Sequence, residues 1–521
     1  MQKVAVIGAG LSGMATVKEL VEKGHDVVCF EKGHDIGGVF SVGGSYDSVY
    51  LTVSNYFMAY SDFMPYEESI RFWSRSEYKQ YLDRYAEHFD LRKHIKFGYS
   101  LKSMNPNEAG GWDVTVTHED GSKMTVSVER VAVCSGQFQK ANIPDVKGLD
   151  TFPGTVYHSS TYKNIQEWSE LHGKRVLAFG MGESAADVIT EVASVASRSV
   201  LSLRRYHVFA KRQAEYPIDV YQTRHWHTLP ASLKAASVRK LWKRILDETE
   251  GDTDNRATHL MAQHMLKASD EPGSVVTKTE RIFDAQAHHG LEVNIGGVSH
   301  IDGSTVTFNS GEQEEFDAIV FCTGFKFDLP FLPTEYRFSN IRDCYLQMFH
   351  PKIGESVAFI GFVRPHQGGI PLMAELQARY YALVCAGERQ LPQDLAAKAT
   401  KDAEFWRKEF YETPNVFGLV NGLRYNEKLA DLIGCRPPVP NFFLRPKRFF
   451  HYWFNHIWPS QYRLVGPGAR EEARQQHLNA PSAMEFSTQV KTLQGTLKMK
   501  AKNLLPEPNR VVDKWRPVLP K

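Results

Sequence analysis

Lys3-Val4-Ala5-Val6-Ile7-Gly8-Ala9-Gly10-Leu11-Ser12-Gly13 is the stretch on which the fold turns. Val4 to Ile7 form a short apolar run, and a helical pattern follows the glycines as far as Leu20 and Val21. A second apolar run, Val27-Val28-Cys29-Phe30, closes on Glu31. Strand, glycine turn, helix and strand in this order make the opening unit of a doubly wound parallel sheet.

The spacing Gly8-x-Gly10-x-x-Gly13 has a chemical purpose. The first glycine permits a tight turn, and the second lets backbone approach a pyrophosphate. The third lets the helix pack closely, so that its positive N-terminus faces the negative charge. Glu31, 21 positions after Gly10, is placed to accept hydrogen bonds from a ribose diol. The unit recurs at Lys174 to Gly180 (KRVLAFG), where Gly180-x-Gly182-x-Ser184-Ala185 precedes a helical stretch to Val195 and a strand from Ser199 to Leu203. No acid ends that strand. Arg204 and Arg205 stand there instead, and a guanidinium pairs with a 2′-phosphate where a carboxylate would repel it. The first turn therefore reads as an FAD site and the second as an NADPH site. Glu183, inside the second turn, is an awkward neighbour for a phosphate.

The rest of the chain narrows the class. Its 521 residues suggest about three domains or two large interleaved ones. Hydrophobic residues make up 42% and charged residues 23%, an ordinary globular composition. A net charge of +2 lacks the basic bias of a nucleic-acid binder, so no nucleic-acid partner is expected. Cys29, Cys134, Cys322, Cys344, Cys385 and Cys435 show no CxxC, and the histidines show no HxH or HExxH spacing, so neither a zinc site nor any other metal is expected. Disulfide reductases that combine a flavin with a nicotinamide use a cysteine pair beside the flavin, and none is present here. What remains is an oxidase, another kind of reductase or a monooxygenase.

Strand periodicity places residues 1–165 in the first part of an FAD-binding domain. Residues 166–325 follow as an inserted NADPH-binding domain with a helical insertion around 205–300. Residues 326–395 return to the FAD-binding domain, and 396–521 form a mainly helical C-terminal extension. The expected fold class is α/β, with two Rossmann-like domains. The first strand begins too early to leave room for a secretory signal, and no run reaches the roughly 18 apolar residues of a spanning helix. A soluble, cytoplasmic protein is the expectation, with homo-oligomerisation open. The basic, aromatic stretch 442–458 (FFLRPKRFFHYWFNHIW) reads as buried core or a subunit contact ahead of a membrane-surface segment, because Pro446 interrupts any clean helical face.

Several stretches resemble the flavin-containing monooxygenases. Phe152-x-Gly154-x-x-x-His158-x-x-x-Tyr162 is similar to the family's FxGxxxHxxx(Y/F) signature, and it lies between the two nucleotide turns. Glu31-Lys32 through Gly37-Gly38 resembles the family's E…GG loop, and Val133 to Gly136 its first domain crossover. Phe321-Cys322-Thr323-Gly324-Phe325 resembles its FATGY segment, and Ser54-Asn55 to Phe63 its active-site asparagine stretch. Ile370-Pro371 to Gln377-Ala378-Arg379 resembles the helix whose start meets the flavin, and Pro459 to Gly468 a segment of the longer, animal-type members. Three features depart. Phe40 stands where the GGxW loop has Trp, Glu183 where the second turn has Asn, and the chain ends in VVDKWRPVLPK where vertebrate members carry an apolar anchor.

The resemblance implies that NADPH reduces FAD and that a C4a-hydroperoxyflavin then oxygenates nitrogen or sulfur of a small amine or sulfide, with O2 as co-substrate. It makes Asn55 the residue that holds NADP⁺ and the flavin adduct in register. It places Gly8, Gly10, Gly13, Glu31, Lys32, Gly38, Phe40, Thr323, Gly324 and Gln377 around the flavin, and Gly180, Gly182, Ser184, Ala185, Arg204 and Arg205 around the nicotinamide cofactor. Phe152, Gly154, His158 and Tyr162 form the family motif; within it His158 reads first as a satisfied histidine in a linker between domains, and alternatively as a residue that couples domain position to NADPH. Two rivals stay open. Baeyer–Villiger oxygenation of a ketone is less favoured, since that signature ends in Trp where Tyr162 stands. An NADPH oxidase would release H2O2 without oxygenating anything.

Overall fold

A computed structural model describes residues 1–212, 219, 222–229, 231–268, 276–410, 417–478, 480, 487, 490 and 494. Two five-stranded parallel sheets organise it. The first runs in the order Val357–Phe359, Arg130–Val133, Lys3–Ile7, Asp26–Glu31, Ile95–Phe97. The second runs Glu292–Ile295, Arg198–Leu203, Arg175–Phe179, Ala318–Phe321, Thr155–His158. Their central strands, such as Lys3–Ile7, Arg175–Phe179 and Ala318–Phe321, read as near-continuous apolar runs because both faces of a parallel sheet are covered there. In each, the first strand feeds directly into a helix, Leu11–Glu22 in one and Glu183–Ala193 in the other.

The sheets differ in where their fifth strand comes from. The first is completed by Val357–Phe359, which returns after the whole second sheet has been built. The second is completed from upstream, by Thr155–His158. Residues 155–158 therefore belong to the second unit, which corrects the boundary expected at 165. The crossings between units are tied together: Lys140–Ala141 pairs antiparallel with Phe325–Lys326, and Asn142 exchanges backbone and side-chain hydrogen bonds with Thr323 and Gly324.

Helix Ile370–Cys385 packs on Leu11–Glu22 beneath the first sheet. Every residue from Pro371 to Cys385 is buried, so this is a core helix with no solvent stripe. Tyr99–Pro106, Trp112–His118 and Lys123–Val128 form a small antiparallel sheet packed on the other face of the first sheet, against Ala5, Ile7 and Val131. Helices Ala231–Glu248, Arg256–Ala268 and Arg281–His288 form the helical insertion of the second unit.

The extension is anchored by charge. Arg463, fully buried, reaches Glu19 and Glu375 at 2.6 Å and Asp62 at 3.0 Å, and Lys18 adds contacts to Glu19 and Asp62. The three carboxylates converge as metal ligands would, but the guanidinium already lies among them. Arg379 donates to the carbonyls of Tyr462 and Pro467, and Trp458 packs 4.9 Å from the rings of both Tyr56 and Phe57. The stretch 442–458 divides. Phe450, Phe454, Ile457 and Trp458 are buried, as expected of core, whereas Phe443 and Leu444 are 88% and 80% exposed, which core packing does not explain. No helix among the described residues is long and apolar enough to cross a membrane. Residues 511–521, read above as lacking an anchor, lie outside the described residues.

Candidate functional site

The first glycine turn is a closed cradle. Gly8 has φ +99°, and a Cβ there would lie 2.8 Å from the Cys134 carbonyl oxygen, so only glycine fits the bend. A Cβ on Gly13 would meet the Gly8 carbonyl at 1.8 Å, which is why the helix can pack so close to the strand. Gly10 caps that helix without any side-chain hydrogen bond, leaving its first N–H groups for an anion. A Cβ on Gly10 would face the Gly38 Cα at 3.5 Å. Side chains at either glycine would fill the space a pyrophosphate needs, so the residues present fit FAD.

Glu31 is buried. Its carboxylate accepts from Ala9 N–H at 2.6 Å and from Gly33 N–H at 2.8 Å, so it shapes both loops. Lys32 is exposed and donates to Gln139 at 2.9 Å. The Phe40 ring lies edge-on to Tyr78 at 4.7 Å and closes the loop after Gly38.

The second turn is open. Gly182 is exposed, no atom lies within 4 Å of where its Cβ would be, and it too caps its helix without a side chain. Ser184 is exposed beside it, and Ala185 is buried under the helix. Arg204 and Arg205 stand exposed at the end of Arg198–Leu203, the position a 2′-phosphate requires. Glu183 is accommodated because its carboxylate turns inward and accepts the Lys278 backbone N–H at 3.1 and 2.9 Å. Burial pushes its carboxyl up and Lys278 opposes that. The acid is thus taken away from the phosphate position.

Other expected site residues have different work. The Asn55 amide closes its own loop: Oδ1 accepts from Tyr56 and Arg71 N–H, each at 3.1 Å, and Nδ2 donates to the Ser69 carbonyl at 3.0 Å. An amide has two N–H donors, so one remains beside these bonds. Gln377 is fully buried, accepts from Gly361 N–H at 2.9 Å and donates to the Tyr425 hydroxyl at 2.8 Å, so it positions the loop before helix Ile370–Cys385. Thr323 and Gly324 are bonded to Asn142 at the crossover.

The four motif residues are structural too. Phe152 is buried beneath the second sheet, and Gly154 passes where a Cβ would lie 2.2 Å from the Asp317 carbonyl. His158 ends the edge strand and accepts Ser160 N–H at 3.1 Å. Burial holds its pKa below the usual value, and its ring meets Phe325 of the return crossover at 5.8 Å. The Tyr162 hydroxyl donates to Glu191, and its ring packs 4.7 Å from Trp168.

The sequence reading missed a group of polar residues between the two halves. Ser54 N–H donates to buried Asp219 at 2.6 Å, and the Tyr46 hydroxyl donates to Asp187 at 2.8 Å, each joining the first half to the second. Lys278 of strand Val276–Lys278, Lys234 of helix Ala231–Glu248, and Arg364 and His366 after the strand Val357–Phe359 face one another here. His366 is held at about 4, first by burial and then by Lys278, Lys234 and Arg364. These residues are scattered over more than 130 positions and carry no spacing signal.

The chain matches the family described as FMO-like, flavin-binding monooxygenase-like, over residues 1–505. It belongs to that family. It is a flavin-dependent monooxygenase, with FAD and NADPH as cofactors. The 4-hydroxybenzoate brominase (decarboxylating) of Marinomonas mediterranea is 40% identical over 488 residues, 92% of each chain. Flavin-containing monooxygenase 5 of Homo sapiens is 30% identical over 502 residues, 91% of this chain and 90% of the relative. Among solved structures, S-allyl-L-cysteine S-oxygenase from Allium sativum superposes with a TM-score of 0.61 at 19% identity, over 92% of this chain and 99% of the other. An oxidized steroid monooxygenase bound to NADP gives 0.60 at 18% identity, over 82% and 97%. These two show the shared fold.

Proposed function

We propose that this flavin monooxygenase acts on halide, brominating a 4-hydroxybenzoate-type acid with loss of its carboxyl group. The observation that carries this reading is the 40% identity, over 92% of both chains, to a brominase of that description, against 30% to a flavin-containing monooxygenase. Halide belongs with amine nitrogen and sulfide sulfur as a soft nucleophile, so the expected chemistry is kept and its acceptor changes.

Bound FAD supplies hydride acceptance from NADPH and the activation of O2. The chain's own part is to hold and to shield. Gly8, Gly10, Gly13 and Gly38 seat one pyrophosphate, and Gly180, Gly182 and Ala185 seat the other, with Arg204 and Arg205 for the 2′-phosphate. Tyr56, Phe57 and Trp458, all buried, keep water from the space beside the flavin turn. The electrons balance. NADPH and bromide each give up two, and O2 takes four to become two waters. The ring carbon forms its bond to bromine with the pair that had joined it to the carboxyl group, which leaves as CO2.

Purified protein given NADPH, O2, bromide and 4-hydroxybenzoate is expected to form 4-bromophenol in proportion to the NADPH consumed. Oxygenation of an amine or sulfide panel with no brominated product would replace this reading with nitrogen or sulfur oxygenation, the nitrogen case being supported by 30% identity to an N-oxide-forming dimethylaniline monooxygenase. H2O2 release alone would mark an oxidase.

A further inference from the structure

We propose that the segment 439–448 is a docking tip by which this protein sits on the surface of an anionic lipid bilayer without spanning it.

A single exposed apolar residue is ordinary on a protein surface, but a contiguous group marks a contact. Val439, Phe442, Phe443 and Leu444 are all exposed, within six positions, and Phe443 and Leu444 are the most exposed of them at 88% and 80%. The turn that carries them is held in place. Asn441 Oδ1 accepts the backbone N–H of Phe443 at 2.9 Å and of Leu444 at 3.0 Å, and the Asn441 carbonyl accepts Arg445 N–H at 2.9 Å. Pro437, Pro438 and Pro440 stiffen the approach to it. The Phe442 ring lies 5.3 Å from Phe449 and 6.1 Å from Phe450. Behind the turn, helix Pro446–Phe454 is seated on the body through buried Phe450 and Phe454, with the Arg224 guanidinium 3.9 Å over the Tyr452 ring. Phe443 and Leu444 therefore project from a fixed support, and ordering them on contact costs little further entropy.

The charge around the tip selects the occupant. Arg445, Lys447 and Arg448 stand exposed directly behind it, and among the described residues none has a carboxylate within ion-pair distance. No Asp or Glu occurs anywhere from residue 432 to residue 470. A second copy of the chain does not complement this surface, because a two-fold contact would set three cations against three. The end of the chain does not complement it either: residues 481–521 carry eight Lys or Arg and three Asp or Glu. A bilayer with anionic headgroups answers both parts. Phe443 and Leu444 can enter the boundary between headgroups and acyl chains, while the three cations meet lipid phosphates on long apolar stems.

Co-sedimentation of the FAD-loaded full chain with vesicles tests this. One set is phosphatidylcholine alone and the other an equal mixture of phosphatidylcholine and phosphatidylglycerol, each at low and at high salt. The unmodified protein is expected to bind the mixed vesicles at least about 10-fold tighter than the neutral ones, with a preference that shrinks as salt screens the headgroups. Replacing Lys447 and Arg448 together with Gln should weaken binding to mixed vesicles roughly 25-fold, about 5-fold for each cation, and remove most of the preference. Replacing Phe443 and Leu444 together with Ser should weaken binding at least about 10-fold at both salt concentrations. All four side chains are exposed, so flavin content and NADPH oxidation in the absence of vesicles should hold in both variants. Absence of pelleting, equal affinity for the two vesicle sets, or binding that survives both variants would overturn the proposal, the last outcome assigning it to basic residues elsewhere in the chain. Self-association lost in the Ser variant, or retention on polyglutamate lost in the Gln variant, each without vesicle binding, would replace the bilayer with a second copy or an acidic protein.

Discussion

Around Gly10 a second stretch of backbone, Gly38, lies 3.5 Å from where a side chain would begin, whereas around Gly182 nothing lies within 4 Å. Both turns sit between a strand and a helix, and both helices start without a side-chain cap. The anion-binding device is the same, and its enclosure differs. The first is walled by the Gly37–Phe40 loop and by Glu31, whose carboxylate is tied to Ala9 and Gly33. The second faces solvent, with its arginines exposed and its one acid turned inward. The enclosed turn suits a group retained through turnover, and the open one suits a hydride donor that is exchanged in each cycle.

The sharpest way to break this contrast is to fill both turns alike. Gly10→Val should abolish FAD binding, read as loss of the flavin absorbance in purified protein. Gly182→Val should leave the fold and the FAD content intact and raise the KM for NADPH at least 10-fold, since a phosphate contact is worth roughly 1.5–3 kcal/mol. Full flavin occupancy in Gly10→Val would remove the closed-cradle account.

The next effect concerns the enclosure on the flavin side, which the extension completes through Arg463. Arg463→Met strands the buried Glu375 carboxylate and leaves Glu19 and Asp62 to Lys18 and Arg470, and should cost about 3–5 kcal/mol of stability, measured by urea unfolding. The sign of its pH dependence follows from the partners. Burial raises the Glu19 carboxyl, but Arg463 and Lys18 outweigh it and hold it at about 2; Asp62 is likewise held well below the usual range. A depressed carboxylate stabilises the fold above its unfolded pKa, near 4, and that share is lost as pH falls toward the folded value. The gap between the unmodified protein and the variant should therefore be largest at neutral pH and narrow below about pH 5. A gap independent of pH would show that packing, not charge, holds the extension.

A smaller effect is expected on the open side. Replacing Arg204 and Arg205 together with Ala should cut the preference for NADPH over NADH by roughly 10- to 150-fold, with FAD content unchanged. Equal use of both nicotinamides by the unmodified protein would detach the arginines from the 2′-phosphate.

The smallest belongs to Asn55. With its amide engaged by Tyr56, Ser69 and Arg71, Asn55→Ala should lower stability by about 1–3 kcal/mol and leave the fraction of NADPH electrons lost to H2O2 unchanged. A rise in H2O2 with unchanged stability would support the register-holding role instead.

What the sequence revealed is what local rules encode. Two glycine turns between apolar runs specify their strands and helices within about thirty residues each, and Arg204–Arg205 follows its strand directly, so both turns were legible. Side-chain purpose inside a matched motif was less so. Asn55 and Gln377 stand where the resemblance places them, yet their amides bond to backbone and to Tyr425. His158 looked like a linker residue because the pairing of its strand with Ala318–Phe321 spans 163 positions.

The late return of Val357–Phe359 has a consequence during synthesis. Arg130–Val133 emerges with one edge open, and its partner lies roughly 220 residues further along the chain. At ribosomal rates of about 5–20 residues per second, that edge waits on the order of 10–45 s for the strand that covers it. An uncovered run of Val131, Ala132 and Val133 is a template for pairing with another nascent chain. The inserted half, whose own fifth strand is made before its first, can close as soon as Ala318–Phe321 appears. It is thus complete before its host, and expression that fails should leave aggregates in which the nicotinamide half is folded and the flavin half is not.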